Sequence, residues 1–469
     1  MQMPQDVIYI INELYDNGYE AFAVGGCVRD CLLGKTPHDW DITTDASPQQ
    51  VKNIFKKTVD TGIEHGTVSV ILNSVGYEVT TYRIDGEYLD NRHPKEVIFT
   101  SNLKEDLMRR DFTINAMAYN DIVGLVDIYG GREDLQKGII RCVGNAHDRF
   151  SEDALRILRA IRFSAQLGFE IDEETKNAMS ELASNLKNVS AERIKTELDK
   201  MLLSDNCDRF ILMSKLGICK VILPEFDAML ETTQENINHI YDVGRHTLVA
   251  TEYVDKRYEK DDSNMAQFDE CMDFSILDDE KVRLMLKWTM LLHDTGKPVM
   301  KTIDEKGVAH FKGHPEKSVE IAKRVFERLK FDNYTANTAC HLIRWHDYRF
   351  ENDIRAVRRA LSKVGQEYAQ LLFLVQRADI LGQNPTTFSE KFKKQKDALI
   401  NYEEIVKSSQ CLSVKDLKIG GRELIAAGIA PGPMMGEILN SLLESVIEDP
   451  GLNNEEDLIQ IAKRITGII

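Results

Sequence analysis

Short apolar runs separated by turn residues fill the first third of the chain. Residues 21–24 form one such run, Gly25-Gly26 ends it, and residues 28–33 have helical composition until Gly34. Residues 40–44 then alternate polar and apolar positions, as a strand with one buried face does. The pattern predicts a strand, a tight turn, a helix and a second strand.

A hairpin and then a long helical region are predicted next. Residues 64–72 and 77–82 are rich in β-branched side chains, and Gly76 between them is expected to form the turn. From about residue 145 the pattern is helical, with Ser151 as the expected N-cap and Glu152-Asp153 in the first turn. We therefore predict a small α/β head and an elongated all-helical remainder, with boundaries near residue 223 and between residues 401 and 411.

Length and composition exclude a membrane protein and a single small domain. The chain has 469 residues, which predicts three or four units. No apolar run approaches the roughly 20 residues of a membrane span, and the first residues lack a signal-peptide pattern. The eight cysteines include no C-x-x-C pair. These features predict a cytoplasmic protein with reduced thiols and no membrane partner.

The net charge of −17 counts against a polyanionic partner, because nucleic-acid affinity depends on Lys and Arg. Much of the acid, however, lies in residues 252–280, which we interpret as a solvated insertion or loop. Basic clusters elsewhere allow a local basic track, with solvated helix faces as the alternative. They are Lys52, Lys56 and Lys57; Arg156, Arg159 and Arg162; Arg355, Arg358 and Arg359; and Lys391, Lys393, Lys394 and Lys396.

Asp39 and Asp41 are the first candidates for chemistry. Side chains two apart on a strand point to the same face, so these carboxylates are expected to project together and to repel unless a cation lies between them. Mg²⁺ takes carboxylate oxygens and substrate phosphates as ligands. Gly25 and Gly26 would let backbone N–H groups approach a phosphate. A metal-dependent phosphate site is predicted, and a surface turn is the alternative.

The residues around the aspartates, GG-x-VRD-x-LLG-x-x-x-x-DWDITT, resemble a nucleotidyltransferase signature. The superfamily contains tRNA CCA-adding enzymes and bacterial poly(A) polymerases, and the resemblance is to its bacterial-type (class II) members. Residues 109–118, 127–135 and 152–163 resemble its further motifs in order. The resemblance implies an α+β fold: a polymerase-β-like head (1–143), a helical neck (144–223), a body with an HD domain (224–400) and a tRNA-binding tail (401–469).

The resemblance also implies roles for individual residues. Asp39 and Asp41 would hold Mg²⁺ and catalyse the transfer, with Glu78 as the third carboxylate, although an exposed cross-strand charge is the alternative for Glu78. Arginines suit triphosphate because their guanidinium groups bind phosphate bidentately. The expected nucleotide-binding residues are Gly25, Gly26, Arg29, Arg109, Arg110, Asp111, Asn115, Asp153, Arg156, Arg159 and Arg162, with Asp111 on the ribose 2′-hydroxyl.

Asp153 and Arg156 are the candidates for base selection. Three residues apart on a predicted helix, they would lie on one face, and Asp accepts hydrogen bonds while Arg donates them. This pair matches the amine and ring nitrogen of cytosine and adenine, whereas uracil and guanine present the reverse pattern. The alternative is a capped helix with an ordinary i,i+3 pair. Residues 83–94 resemble a flexible loop that CCA-adding enzymes keep and CC-adding relatives have lost.

A second metal site is predicted further along the chain. His246, His293-Asp294 and Asp379 follow the order H…HD…D, which resembles an HD phosphohydrolase domain. Imidazole and carboxylate together suit a divalent ion such as Mg, Mn, Ni or Fe. His314 and His346 resemble the auxiliary histidines that hold a second ion in HD domains. The alternatives are core histidines and an HD fold kept as an inactive scaffold.

The sequence thus predicts a CCA-adding tRNA nucleotidyltransferase that uses CTP and ATP without a nucleic-acid template, as a monomer or homodimer. The nearest alternatives are a poly(A) polymerase and a relative that adds only CC or only A. A phosphohydrolase with a nucleotide-binding head and an RNA-binding scaffold are alternatives from other classes.

Overall fold

The computed structural model describes residues 1–86, 97–257 and 263–468. The chain divides into two compact units, one of residues 1–227 with 328–330 and one of residues 228–327 with those from 331 onward. The first combines a sheet with helices and the second is almost entirely helical. None of the described helices is long and apolar enough to cross a membrane.

Strands are concentrated in the first 140 residues. They are β1 (Ala21–Val24), β2 (Asp41–Thr44), β3 (Thr58–Gly62), β4 (Thr67–Leu72), β5 (Val75–Thr81), β6 (Arg83–Asp85), β7 (Val97–Phe99), β8 (Met117–Asn120), β9 (Gly124–Asp127) and β10 (Ile139–Ile140), followed later by β11 (Glu170–Ile171), β12 (Thr302–Ile303) and β13 (Ala309–His310).

Helices flank the strands and make up most of the remaining chain. Up to residue 230 they are α1 (Gln5–Asp16), α2 (Gly26–Leu32), α3 (Pro48–Ile54), α4 (Leu103–Met108), α5 (Gly131–Lys137), α6 (Ala146–Glu152), α7 (Leu155–Leu167), α8 (Glu173–Leu182), α9 (Ala191–Leu202), α10 (Arg209–Lys215), α11 (Cys219–Ile222) and α12 (Pro224–Leu230). Beyond it they are α13 (Val243–Glu252), α14 (Ser263–Cys271), α15 (Glu280–Leu292), α16 (Lys297–Met300), α17 (His314–Arg328), α18 (Asn333–Trp345), α19 (Ile354–Val364), α20 (Ala369–Leu381), α21 (Phe388–Lys407), α22 (Gly421–Ala426), α23 (Met434–Glu448) and α24 (Glu455–Ile465).

One seven-stranded sheet organises the first unit, in the order β3-β4-β5-β2-β1-β8-β9. Only the β2–β5 pair is parallel, and it aligns Asp41 with Glu78. Phe22 and Val24 of β1 pack with Tyr82 and Leu107 in a buried apolar cluster. The sheet therefore holds the ends of β2 and β5 side by side on a rigid support.

Local turn chemistry differs from the sequence prediction at two places. The hairpin turn is Asn73-Ser74, with φ of 49° and 68°, so Gly76 lies inside β5 and the prediction of a turn there was wrong. Positive φ at both central residues is the type I′ geometry that matches strand twist. Ser151 is also not an N-cap, because its helix, α6, begins earlier at the cap Asn145, whose side chain accepts from the N–H of Asp148.

The acidic segment of the second unit is partly a packed helix. Met265 and Phe268 of α14 are buried, and the Asp269 carboxylate accepts from the Arg377 guanidinium at 2.6 Å. The prediction of a solvated loop was therefore wrong for residues 263–271, because apolar residues alternate there with the acidic ones. Near the C terminus, α22, α23 and α24 enclose their own core, which includes Leu424, Leu442 and Leu458. The helix α21 continues across residue 400.

Candidate active site and metal centre

Two carboxylates lie side by side on the parallel strand pair of the first unit. Asp41 is the first residue of β2 and is aligned with Glu78 of β5, and aligned residues of neighbouring strands project from the same sheet face. Asp39 precedes the strand, so it does not share β2 with Asp41 as the alternation had predicted. Glu78 lies where the third carboxylate was expected.

The electrostatics link these three carboxylates. Loss of hydration raises the pKa of Asp41; the Arg110 guanidinium opposes that shift and Asp39 adds to it. The pKa of Glu78 is raised by loss of hydration and then by Asp41 and Asp39. The carboxylates therefore repel one another, and a cation bound among them would relieve that repulsion. This donor set of carboxylate oxygens fits Mg²⁺.

Arg109 and Arg110 are fixed by a buried acid. Asp106 of α4 is fully buried, and its Oδ1 lies 2.7 Å from Nη2 of Arg109 while its Oδ2 lies 3.6 Å from Nη2 of Arg110. The Arg110 guanidinium also approaches Gly25, where a Cβ would lie 3.0 Å from Nη1, and Gly25 has a φ of 84°. The positive φ favours glycine at residue 25, and a side chain there would also press against the Arg110 guanidinium.

A hydrogen-bonded chain connects Arg29 with Asp111. Arg29 is paired with Asp30 at 2.7 Å and also donates to Oδ1 of Asn115, whose amide in turn donates to Asp111 at 3.2 Å. Arg159 completes the chain at 2.6 Å from Asp111. Burial alone would raise the pKa of Asp111, but Arg159 and the amide of Asn115 hold it at about 2. Asp111 is thus a fixed anion and acceptor.

The base-selection candidates lie in different elements. Asp153 occupies the break between α6 and α7, so the prediction that it shares a helix with Arg156 was wrong. Its Oδ2 accepts from Nη2 of Arg193 on α9 at 2.7 Å. Arg156 donates to Glu152 at 2.6 Å and to the backbone carbonyls of residues 149 and 109. Each side chain is therefore held by its own partners.

Three arginines lie around the aromatic ring of Phe163 on α7. The guanidinium carbons of Arg29, Arg159 and Arg162 lie 5.1, 5.4 and 3.9 Å from the ring centroid of Phe163. Arg162 is buried and donates from Nε to Glu197 of α9 at 2.5 Å. The cluster formed by Arg156, Arg159 and Arg162 is therefore not a solvated helix face.

Four of the predicted metal ligands converge in the second unit. They come from α13, from the end of α15 and from α20. The Nε2 atoms of His246 and His293 lie 3.4 and 3.2 Å from Oδ2 of Asp294, and 3.0 and 3.4 Å from Oδ1 of Asp379. The side chains of these histidines and of Asp294 are buried, and that of Asp379 is 14% exposed.

His314 and His346 form a second group on the other oxygen of Asp294. Their Nε2 atoms lie 3.3 and 3.6 Å from Oδ1 of Asp294 and 3.2 Å from each other. Among the described residues, groups of three potential ligands within 4.8 Å of one another occur only here and in the set of His246, His293 and Asp294. Asp294 therefore bridges two adjacent ligand groups.

The four histidines are oriented by backbone carbonyls. Each Nδ1 lies 2.6–2.9 Å from a carbonyl oxygen, of Gly382, Met290, Phe311 and Ile343 for His246, His293, His314 and His346 respectively. A neutral ring that donates from Nδ1 presents a lone pair at Nε2. Two such lone pairs 3.2–3.3 Å apart cannot hydrogen-bond to each other, whereas both can bind a cation.

The charge balance of this cluster requires positive charge. Both oxygens of Asp294 are buried without a hydrogen bond of good geometry, although the Lys297 ammonium lies 2.6 Å from Oδ2. Burial disfavours protonation of His293, yet Asp294 and Asp379 raise its pKa to about 10. A proton on His293 and a bound metal ion would meet the same demand, so the residues fit a divalent cation.

Sequence reasoning missed several supporting residues. Arg193, Asp106 and Glu197 hold predicted ligands in place, and Gly296 allows α17 to approach the HD pair, since a Cβ there would lie 2.4 Å from the His314 carbonyl oxygen. Only Asp106 left a signal, because it stands three and four residues before Arg109 and Arg110 on a helical pattern.

Four family models together match most of the chain. Residues 21–141 match the "Poly A polymerase head domain", and residues 168–230 match the "Probable RNA and SrmB- binding site of polymerase A". Residues 238–383 match the "HD domain", and residues 311–462 match "tRNA nucleotidyltransferase domain 2 putative". The head model alone does not separate poly(A) polymerases from tRNA nucleotidyltransferases.

Relatives that match along the full length decide between them. The CCA-adding enzyme of Leuconostoc mesenteroides subsp. mesenteroides is 34% identical over 98% of this chain and 97% of its own. The CCA-adding enzyme of Pediococcus pentosaceus is 35% identical over 99% of both. The chain belongs to the CCA-adding enzymes, the class II tRNA nucleotidyltransferase family.

A solved CCA-adding enzyme has the same fold. The crystal structure of the Bacillus stearothermophilus CCA-adding enzyme in complex with CTP aligns over 100% of this chain and 99% of its own, with a TM-score of 0.67 and 27% identity. The predicted α+β fold with a polymerase-type head and an HD domain is confirmed. The loop predicted at residues 83–94 lies largely outside the part of the chain that the structure describes, which omits residues 87–96.

Proposed function

We propose that this CCA-adding enzyme extends tRNA 3′ ends with CTP and ATP at the carboxylate site of the first unit. The alignment of Asp41 with Glu78, together with their electrostatic coupling to Asp39, carries the proposal. These carboxylates would hold Mg²⁺. The bound ions would supply Lewis-acid activation of the 3′-hydroxyl and neutralise the triphosphate during attack on the α-phosphate, with release of pyrophosphate.

The surrounding side chains would position the nucleotide. Gly25 and Gly26 let the backbone approach the triphosphate, and Arg110 lies directly against that turn. Arg29 and Arg109 are fixed by Asn115 and Asp106, so their remaining N–H groups can bind phosphate oxygens without further ordering. Asp111, anionic and held by Arg159 and Asn115, can accept from a ribose 2′-hydroxyl. The site would thereby favour ribonucleotides.

Asp153 and Arg156 would read the base. Arg193 and Glu152 hold them in place, and an ionised carboxylate has about four acceptor positions, so Asp153 can also accept from an exocyclic amine. Uracil or guanine would set a carbonyl against that carboxylate, and an unsatisfied buried group costs about 1–3 kcal/mol. This supports selection of C and A by the protein itself.

The buried histidine and aspartate centre of the second unit would hydrolyse a phosphoester. Its two ligand groups share Asp294, and they fit one or two divalent ions such as Mg, Mn, Ni or Fe. The ions would supply a water of lowered pKa. The backbone carbonyls fix the ligand tautomers, and the burial of the histidines keeps bulk water out.

Single-nucleotide incorporation tests the function of the first unit. Purified protein is incubated with tRNA lacking its 3′ CCA and with CTP, ATP, UTP or GTP alone. Incorporation of CTP, followed by a single A once ATP is added, is expected. Extension by ATP alone into a long tail would instead indicate a poly(A) polymerase, and arrest after CC in the presence of ATP would indicate a CC-adding relative.

A further inference from the structure

Lys391 lies near the most accessible ligand of the HD centre, the metal centre of the second unit. The ligands of the HD centre are His246, His293, Asp294, Asp379, His314 and His346. Oδ1 of Asp379 faces the two histidines, and its Oδ2 accepts from Nε2 of Gln383 at 2.8 Å. The carbonyl oxygen of the Gln383 side chain accepts from the ammonium of Lys391 on α21. The Lys391 charge is thus one amide group away from the metal ligand.

Asp379 is the ligand of this centre that is most open to solvent. Its side chain is 14% exposed, more than that of any other ligand of this centre. His246, His293 and Asp294 are enclosed. Gln383 and Lys391 lie next to this ligand, so a phosphoester that approaches Asp379 meets them.

Lys391 differs in its pairing from the other lysine of the centre. The Lys297 ammonium lies 2.6 Å from Asp294 and donates to Gln234 at 2.9 Å, so a carboxylate already neutralises it. Within the parts of the chain that the structure describes, Lys391 has the Gln383 amide as its hydrogen-bond partner and no carboxylate within 4 Å. Its neighbour Glu390 is paired with Lys394 at 2.7 Å.

The charged groups around Lys391 are of both signs. Burial lowers the pKa of the Lys391 ammonium, whereas Asp379, Asp347 and Glu390 favour its charged form and Arg349 opposes it. A metal ion bound to Asp379 would neutralise that carboxylate. An ammonium is a compact point charge that binds phosphate oxygens.

We infer that Lys391 binds the phosphate of the phosphoester hydrolysed at the HD centre. The inference rests on the proposed hydrolysis. In that reaction the water oxygen bonds to phosphorus, the ester P–O bond breaks, and the proton of the water ends on the released alcohol. Lys391 neutralises a non-bridging oxygen throughout, and Gln383 holds the ammonium beside Asp379.

The test compares phosphate binding with metal binding in the full-length protein. Manganese content, the Kd for inorganic phosphate by calorimetry, and KM and kcat for p-nitrophenyl phosphate are measured at saturating Mn²⁺. Lys391→Met is expected to raise the Kd and KM about ten- to a hundredfold with unchanged manganese content. Lys391→Arg is expected to restore most of the affinity. Lys394→Met, on the same helix but exposed and paired with Glu390, is the matched control and should behave as the wild type.

Two outcomes overturn the inference in different ways. If Lys391→Met lowers manganese affinity but leaves the phosphate Kd unchanged at saturating metal, Lys391 only supports Gln383. If the wild type binds manganese but neither binds phosphate nor hydrolyses the ester, the proposed hydrolysis itself fails, and the inference fails with it.

Discussion

Asp39, Asp41 and Glu78 bring like charges together, and their proposed function as cation ligands conflicts with stability. Because the pKa of Glu78 is raised, ionisation of Glu78 destabilises the folded state. That cost is absent below the ordinary carboxyl pKa and reaches its full size as the pH rises through the folded pKa. Such conflicts are typical of functional sites.

Glu78→Gln should therefore raise the melting temperature at pH 7 in EDTA, because it removes one of the three repelling charges. Nucleotide addition should fall by at least about a hundredfold, since a metal ligand is lost. Calorimetric melting curves with and without Mg²⁺ check this, and the stability gain should shrink as the pH falls below 5. A variant that is less stable than the wild type in EDTA would contradict the electrostatic account. Glu133→Gln, an exposed carboxylate in an i,i+4 pair, serves as the control.

Arg193→Ala tests how Asp153 is positioned. Without its partner at 2.7 Å, the Asp153 carboxylate can turn away from the base, so the preference for CTP over UTP should fall about tenfold. The ratio of kcat/KM for the two nucleotides is the measurement. Lys176→Ala, which breaks the surface pair with Glu173, should leave the ratio unchanged. An equal loss of kcat/KM for both nucleotides would show that Arg193 serves folding only.

At this scale the sequence offered candidate ligands but not the residues that hold them in place. Asp39 and Asp41, and likewise His293 and Asp294, stand within three residues of each other, so each pair can be recognised as candidate metal ligands from neighbouring positions alone. Arg193 lies 40 residues from Asp153, and the contact depends on how α9 packs against α7. Local patterns carry no information about such packing.

At the scale of elements, the pairing of β5 with β2 creates the carboxylate site. The sequence predicted the hairpin of β4 and β5 from its β-branched residues, but the parallel partner of β5 is 37 residues away in the register and left no local signal. In the second unit, the approach of α17 to the end of α15 brings His314 to Asp294. Gly296 makes that approach sterically feasible, since its N–H donates to Ser318 at 2.9 Å and a Cβ would lie 2.7 Å from the Ser318 nitrogen.

Gly296→Ala should destabilise the second unit by about 1–3 kcal/mol, because the new methyl group meets backbone atoms that cannot move independently. Manganese affinity should fall with it as His314 is displaced. Denaturant unfolding and metal titration measure the two effects. Gly436→Ala, in α23 where nothing lies within 4 Å of the added Cβ, should be neutral or stabilise by up to about 1 kcal/mol. Equal stability of the two variants would contradict the packing argument.

At the scale of the whole molecule, the carboxylate site and the HD centre lie in separate compact units. Asp41→Ala should abolish nucleotide addition and leave phosphoester hydrolysis intact, and His293→Ala should do the reverse. Parallel assays of both activities on the same preparations check this separation. Loss of both activities in a variant that remains folded by circular dichroism would contradict it.

The order of motifs predicted the family because four segments and the H…HD…D set lie in one sequence order, which short patterns taken singly do not establish. Relatives that match along the full length confirm it. The sequence analysis did not predict the packed helix α14. Its two buried apolar residues lie among many acidic ones, so the segment resembled a solvated loop.

We propose that this chain selects C and then A without a nucleic-acid template. The most direct measurement is the sequencing of tRNA 3′ ends after incubation of tRNA lacking CCA with all four nucleoside triphosphates, Mg²⁺ and the purified protein. Products ending in CCA are expected, with U and G at background level. Products without C, or tails that continue past the terminal A, would contradict the proposal.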